Sequence, residues 1–253
     1  MSLTDTIRAL EEKYGVTAAC TLLDAKTGAV ICNYQEDKVY KSASLIKTPI
    51  MLHVLEEVEK GRLTLDTEIP LEKHNHTLDE APLLNDKGTV TIRTLLEYMI
   101  TYSNNTATNV LIEYFGMDAV NAVIKRLSLP DTILRRRMLD YEAGRQGREN
   151  MTSARDMARL YSLIYNQEGL SPFVCETGID ILLRQHDKDY IMAAMPEQKA
   201  AHKTGALADI SHDAGILYGG NNTVIFAVLS TGENFDICGQ FLAEMSSHVK
   251  NLL

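Results

Sequence analysis

A serine and a lysine three residues apart form the most reactive pair in the sequence. Ser44 and Lys47 make an S-x-x-K motif at the start of a predicted helix, so both side chains lie on one helix face. A lysine amine accepts a proton from a serine hydroxyl when burial and nearby cations lower the lysine pKa. The unpaired N–H groups at a helix start favour the negative charge that develops during attack. The pair predicts a nucleophilic serine, Ser44, that Lys47 activates.

Two further short motifs follow in order along the chain. An S-x-N motif begins at Ser103, 59 residues after Ser44, and a K-T-G motif begins at Lys203, 100 residues after Ser103. The Ser103 hydroxyl can relay a proton from Lys47 to a leaving nitrogen. A second K-T-G, at Lys26, lies in a predicted hairpin turn, and we interpret its residues as forming that turn and not a catalytic site. Each motif alone is weak, but the three in this order on suitable elements point to one catalytic centre.

The residues around these motifs resemble class A β-lactamases, which belong to the penicillin-recognising β-lactamase/D,D-peptidase superfamily of serine hydrolases. The resemblance rests on the three motif segments, residues 40–47, 99–109 and 202–213, and it spans nearly the whole chain. In place of the usual aspartate, the second motif carries Asn104, an uncharged side chain of nearly the same shape.

The resemblance implies a substrate-binding role for four residues. Asn105 would donate a hydrogen bond to the side-chain amide of the substrate, and Lys203 and Thr204 would bind its carboxylate. The backbone N–H of Ala206 would join that of Ser44 in an oxyanion hole. Neither a metal nor an organic cofactor is implied, because serine and lysine suffice for the reaction.

The step that removes the acyl group has a less clear candidate. Class A enzymes use a loop glutamate, in an R-x-E-x-x-x-N-like segment, to activate the hydrolytic water. The corresponding stretch here, residues 135–144, offers no clean match. Asp140 and Glu142 are candidate bases, and each can instead pair with the neighbouring arginines. If neither acts, the acyl-enzyme persists.

The predicted elements place strands near both ends of the chain and helices in the middle. The fold class is therefore α/β of the α+β type: an antiparallel sheet built from both termini, covered by helices, with an inserted all-α subdomain, as in the β-lactamase/transpeptidase-like fold. We expect a discontinuous sheet domain, residues 1–37 plus 186–253, a helical subdomain, residues 38–185, and an active site at their interface. Residues 68–89 and 128–151 are predicted loops. Predicted helices cover residues 3–14, 44–60, 91–102, 106–114, 118–127, 153–165 and 235–252, and predicted strands cover 16–23, 29–34, 200–204, 213–217 and 223–230.

Composition narrows the classes of protein and partner. The chain has 253 residues, 45% of them hydrophobic, and a net charge of −9, which argues against nonspecific binding to nucleic acid. None of the four cysteines forms a C-x-x-C motif, and Cys20 and Cys32 flank a predicted hairpin, where they either pair or stay buried thiols. No stretch is apolar enough to span a membrane, and the first residues do not resemble a signal peptide. The location stays open between a cytoplasmic protein and an exported one with a trimmed signal.

These observations favour hydrolysis of β-lactams through a serine acyl-enzyme. Two alternatives remain open: a D,D-peptidase or esterase on the same fold, and a penicillin-binding sensor or sink that acylates without efficient turnover. The expected partner is a small β-lactam or a peptidoglycan-like peptide. A monomer is the default expectation for the oligomeric state.

Overall fold

The structure, a computed structural model, describes residues 2–72, 88–220 and 222–253. A 3₁₀ turn (Ala43–Ile46) carries the S-x-x-K serine. The helices and strands follow one another as α1 (Leu3–Tyr14), β1 (Thr17–Asp24), β2 (Val30–Tyr34), β3 (Val39–Lys41), α2 (Lys47–Glu59), β4 (Glu68–Pro70), β5 (Thr89–Thr91), α3 (Ile92–Thr101), α4 (Asn105–Phe115), α5 (Met117–Arg126), α6 (Tyr141–Arg145), β6 (Met151–Ser153), α7 (Ala154–Asn166), α8 (Pro172–Leu182), β7 (Ala200–Leu207), β8 (Ile210–Tyr218), β9 (Thr223–Thr231) and α9 (Phe235–Lys250).

One five-stranded antiparallel sheet joins the two ends of the chain. Its strand order is β2-β1-β9-β8-β7, so the first strand pairs with the last. Residues along β8 and β9 are buried almost throughout, because helices cover both faces of the sheet. The predicted α+β architecture, with a sheet built from both termini, is confirmed.

Each face of the sheet has its own hydrophobic core. On one face, Phe226 packs with Ile7 of α1 and Phe241 of α9. On the other face, Leu229 belongs to a larger core with Leu52 of α2, and this core also includes residues of α3, α4, α7 and α8. The sheet thus separates the terminal helices from the helical part that follows the S-x-x-K turn.

Several local predictions need correction. Helix α8 was not predicted, although Ser171 caps it and Pro172 stands at its first turn. The predicted loop 68–89 begins and ends in two short paired strands. The sequence assigns His74 and His76 to a polar loop and not to a metal site, and residues 73–87, which contain them, lie outside the described part. The predicted loop 128–151 is largely irregular but contains α6. The expected domain boundaries fall between elements and stay predictions.

All four cysteines are free thiols, including Cys20 and Cys32 on neighbouring strands. In the described ranges, no helix combines the length and the apolar character that crossing a membrane requires.

His212 of β8 ties the sheet to the segment that leads into the 3₁₀ turn. Its Nε2 lies 3.0 Å from the carbonyl oxygen of Lys41, three residues before Ser44. Its Nδ1 accepts a hydrogen bond from the backbone N–H of Ser230 at 3.2 Å and also lies 2.8 Å from the carbonyl oxygen of Ser211. Burial lowers the pKa of His212 to about 4. The residue acts as a neutral structural donor, not as a base.

Because the imidazole of His212 is buried, we expect the protein to lose stability in acid. As the pH falls below the ordinary histidine pKa of 6.5, the unfolded chain binds the proton and the native protein does not until about pH 4. The free energy of unfolding should therefore fall across this window, by up to about 3 kcal/mol from this group. Urea unfolding of the wild type and of His212→Gln between pH 7 and 4 measures the difference in slope. His248→Gln, on α9, is the control that should keep the wild-type slope; an unchanged slope in His212→Gln contradicts the assignment.

Candidate active site

The nucleophile candidate Ser44 lies on a 3₁₀ turn. The sequence predicted the first turn of an α-helix at this position, and that prediction is wrong. The preceding residue, Ala43, has a left-handed backbone with φ of 47°. Gly205 of the K-T-G motif packs directly against this turn. A Cβ atom at residue 205 would lie 3.1 Å from the backbone nitrogen of Ser44 and 3.1 Å from the Cβ of Ala43. The third motif therefore needs glycine because its strand approaches the nucleophile turn so closely.

Lys47 connects the first motif to the second. Its side chain is wholly buried, and its Nζ donates to Ser103 O at 2.5 Å, Ser103 Oγ at 3.1 Å and Asn105 Oδ1 at 2.8 Å. Ser103 itself has φ of 55°, a left-handed conformation that turns both its oxygens toward the lysine. The structure thus brings together Lys47, Ser103 and Asn105, as the sequence predicted.

Asn104, which stands where the resembling enzymes have aspartate, caps helix α4. Its Oδ1 accepts the backbone N–H of Ala107 at 2.7 Å, which satisfies one of the free donors at the helix start. Its Nδ2 is buried without a hydrogen-bond partner among the described residues. An amide therefore serves the structural role at this position without adding a negative charge beside the buried lysine.

Lys203 of β7 is the second buried lysine of the site. Its Nζ donates to the carbonyl oxygen of Thr204 at 2.9 Å. Burial lowers its pKa to about 8, while the charges of Asp187 and Asp213 act in the opposite direction. Ala206, two residues after Thr204, is exposed and faces the cavity beside Ser44. The strand thus carries a buried titratable amine at Lys203 and reaches the cavity at Ala206.

The second K-T-G sequence has a different role, as predicted. Asp24 Oδ1 accepts the backbone N–H groups of Lys26 at 3.1 Å and of Thr27 at 2.7 Å. These bonds close the turn between β1 and β2, on the surface.

A buried His–Asp pair connects β7 to the neighbouring strand β8. His202 Nδ1 lies 2.9 Å from Asp213 Oδ1, and the backbone N–H of Ile191 donates to Asp213 Oδ2 at 3.1 Å. Burial raises the pKa of Asp213. A Cβ atom at Gly215, opposite His202 in the sheet, would lie 2.4 Å from the Cβ of His202. These contacts fix the strand that carries Lys203.

A cavity lies in front of Ser44, between the 3₁₀ turn, the end of β7 and the loop before β6. Among the described residues that line it, none carries a carboxylate. Apart from Ser44, its lining consists of Ala43, Asn105, Arg136, Met138, Leu139, Tyr141, Asn150, Ala206 and Leu207.

Two asparagines hold the loop that forms one wall of this cavity. Asn109 of α4 accepts the backbone N–H of Met138 at 2.7 Å and donates to the Met138 carbonyl at 3.2 Å. Asn150 Oδ1 accepts the backbone N–H of Arg136 at 3.0 Å, and Arg136 Nε donates to Glu149 at 2.8 Å. These contacts, which sequence reasoning missed, hold the Met138 backbone at the wall of the cavity.

The position of Met138 bears on the missing base. Arg136 and Met138 occupy the first and third places of an R-x-E pattern, so a thioether stands where that pattern has a carboxylate. The only signal in the sequence was this R-x-M spacing.

The structure does not bring Asp140 or Glu142 to the cavity lining. Asp140 Oδ1 accepts the N–H of Ala143 at 2.9 Å as the N-cap of α6. Glu142 is exposed, and hydrogen bonds from Arg145 and Gln146 lower the pKa of its carboxyl group. Both acids are thus engaged in local contacts.

Comparison with known proteins agrees with this geometry. The sequence model of the β-lactamase enzyme family matches residues 2–253. A β-lactamase of Rhodobacter capsulatus is 26% identical over 177 residues, which is 68% of this chain and 59% of that protein. A D-alanyl-D-alanine carboxypeptidase of Bacillus subtilis is 22% identical over 179 residues, 68% of this chain and 44% of that protein. The chain thus matches less than two thirds of the length of either curated relative.

Solved structures share the fold over the whole chain. A β-lactamase from Sphaerobacter thermophilus superimposes with a TM-score of 0.86 at 26% identity, covering 96% of this chain and 93% of that one. The match of the family model to nearly every residue shows that the chain belongs to the β-lactamase enzyme family.

Proposed function

We propose that this protein is a serine β-lactamase that has the residues needed for acylation but deacylates slowly. The observation that carries the proposal is the hydrogen bonding of the buried Lys47 to Ser103 and Asn105 beside Ser44. In its neutral form the Lys47 amine can accept the proton of the Ser44 hydroxyl. The Ser44 oxygen attacks the lactam carbonyl, the C–N bond breaks, and Ser103 passes the proton to the leaving nitrogen.

The remaining residues bind the substrate around this reaction. The Lys203 ammonium and the Thr204 hydroxyl take the carboxylate, and Asn105 donates to the side-chain amide. The backbone N–H groups of Ser44 and Ala206 stabilise the oxyanion, since β7 lies at the edge of the sheet, where some N–H groups have no ladder partner.

The slow step follows from the chemistry of Met138. A methionine sulfur is a weak acceptor and does not take a proton from water near neutral pH. Asp140 and Glu142, engaged in local contacts, are poor substitutes in this arrangement. The acyl-enzyme is therefore expected to accumulate during turnover.

A D,D-carboxypeptidase is the second candidate function. The observation that favours it is the similarity to the Bacillus subtilis relative, which carries this activity in its name. Peptide cleavage would use the same Ser44 acyl-enzyme. Release of D-alanine from a peptide that ends in D-Ala-D-Ala, compared with turnover of benzylpenicillin, separates the two functions.

The first prediction tests the nucleophile and the third motif. With benzylpenicillin, intact-protein mass spectrometry should detect one covalent adduct on the wild type and none on Ser44→Ala. Lys203→Ala should slow adduct formation by at least about tenfold, since a charge-assisted hydrogen bond is worth about 1.5–3 kcal/mol. Lys26→Ala, in the second K-T-G sequence, is the matched control and should react as the wild type does. An adduct on Ser44→Ala contradicts the assignment.

The second prediction concerns the base. Met138→Glu places a carboxylate on the wall of the Ser44 cavity, so the acyl-enzyme should decay faster, by roughly a hundredfold for a general base. Stopped-flow acylation followed by mass spectrometry of the adduct gives both rates. Met138→Gln has a similar shape but no base, and it should leave the decay slow. Equal decay rates in the two variants would show that water activation arises elsewhere.

The third prediction follows from the pKa of Lys203, about 8. The ammonium that binds the substrate carboxylate is lost as the pH rises through this value, so the second-order acylation constant should fall above about pH 8. The constant reports the free protein, and it is measured with benzylpenicillin from pH 6 to 10. In Lys203→Arg, whose guanidinium keeps its charge, this alkaline fall should disappear. A fall at the same pH in both proteins excludes Lys203 as its cause.

A further inference from the structure

A second cavity opens next to the turn that carries Ser103, and aromatic rings line it. The ring of Tyr102 stands edge-on to Tyr98 with centroids 5.6 Å apart. It also lies against the ring of His186, with centroids 4.6 Å apart and planes tilted by 37°. Tyr102 is 56% exposed, which leaves much of its ring open to the cavity. The rings of Tyr102 and His186 form what we call the aromatic platform.

The platform is held in place before any ligand arrives. Gln185 is buried, and its Nε2 donates to the carbonyl oxygen of Ile100 at 3.0 Å. Its Oε1 accepts the backbone N–H groups of His186 at 2.9 Å and of Asp187 at 3.2 Å. The N–H of Tyr102 donates to the carbonyl oxygen of Tyr98 at 3.3 Å. Both halves of the platform are thus fixed to the end of α3, so binding orders little of the backbone.

Along the chain, each residue of the platform directly precedes a residue that acts on one of the two buried lysines. Tyr102 precedes Ser103, whose oxygens contact Lys47. His186 precedes Asp187, whose charge acts on the buried Lys203. The platform therefore lies by the groups expected to meet the leaving nitrogen and the carboxylate. On the proposed function, the cavity in front of Ser44, which Asn105 and Tyr141 line, would take the acyl side instead.

We propose that Tyr102 and His186 form a subsite for a planar aromatic substituent on the leaving-group side of a β-lactam. The proposal rests on the proposed function and names a substrate class within it. Aromatic rings bind planar groups by offset stacking. Lys188 lines the same cavity, where its ammonium can donate to the oxygens of a nitro group on the substituent, while Arg184 is paired with Glu97 at 3.2 Å.

The test uses two cephalosporins that share the acyl side chain and differ at position 3, one with a dinitrostyryl group and one with a methyl group. The second-order acylation constants are measured for the wild type, Tyr102→Ala and His186→Ala. Comparing variants with each compound cancels the difference in intrinsic reactivity. We expect each variant to lose about fivefold to tenfold with the dinitrostyryl compound, the size of one stacking contact, and less than twofold with the methyl compound. Tyr114→Ala, an exposed tyrosine on α4, is the control and should change neither constant.

The outcomes are distinct. Equal losses with both compounds would show that the rings only support the Ser103 turn, and unchanged constants would show that they do not meet the substituent; either result overturns the proposal. A wild type that neither compound acylates contradicts the proposed function instead. In that event, noncovalent binding of the dinitrostyryl compound to Ser44→Ala still decides the question. Its dissociation constant should rise about fivefold when Tyr102→Ala is added, and no rise overturns the subsite.

Discussion

The burial of two lysine side chains is the constraint on which the site depends. Lys47 and Lys203 are both inaccessible to solvent, and an uncompensated buried ammonium costs several kcal/mol. Lys47 meets this cost with three oxygens from the second motif. Lys203 has the Thr204 carbonyl and the nearby charges of Asp187 and Asp213, and its pKa still falls. The start of α4 must therefore stay fixed relative to α2.

The nucleophile turn takes its shape from the sheet. His212 of β8 donates to the Lys41 carbonyl on one side, and Gly205 of β7 packs on the Ser44 backbone on the other. Both strands come from the C-terminal part of the chain, while the turn comes from the N-terminal part. The S-x-x-K motif alone thus does not make a reactive serine, because its geometry arises only when the ends of the chain have assembled the sheet.

The sequence predicts best what short spacing encodes. Ser44 with Lys47, the helices with a clear apolar period and the hairpin at Lys26 are readable because neighbouring residues determine them. Contacts across strands are not readable in this way: the His202–Asp213 pair depends on strand register. Helix α8 buries one face, but the apolar residues Phe173 and Ile179 lie outside that face and obscure its period in the sequence. The platform of Tyr102 and His186 joins segments far apart in sequence, and no local pattern announces it.

The structure separates the two halves of the proposed reaction. Acylation needs groups that the three motifs place around buried lysines, and all of them are present. Water activation needs one basic side chain on the loop, and Asn109 holds that loop through the backbone of Met138, whatever side chain stands there. The framework for deacylation is therefore independent of the chemistry of residue 138. On the proposed function, the lifetime of the acyl-enzyme would then depend on the side chain at residue 138, with the fold and the acylation groups unchanged.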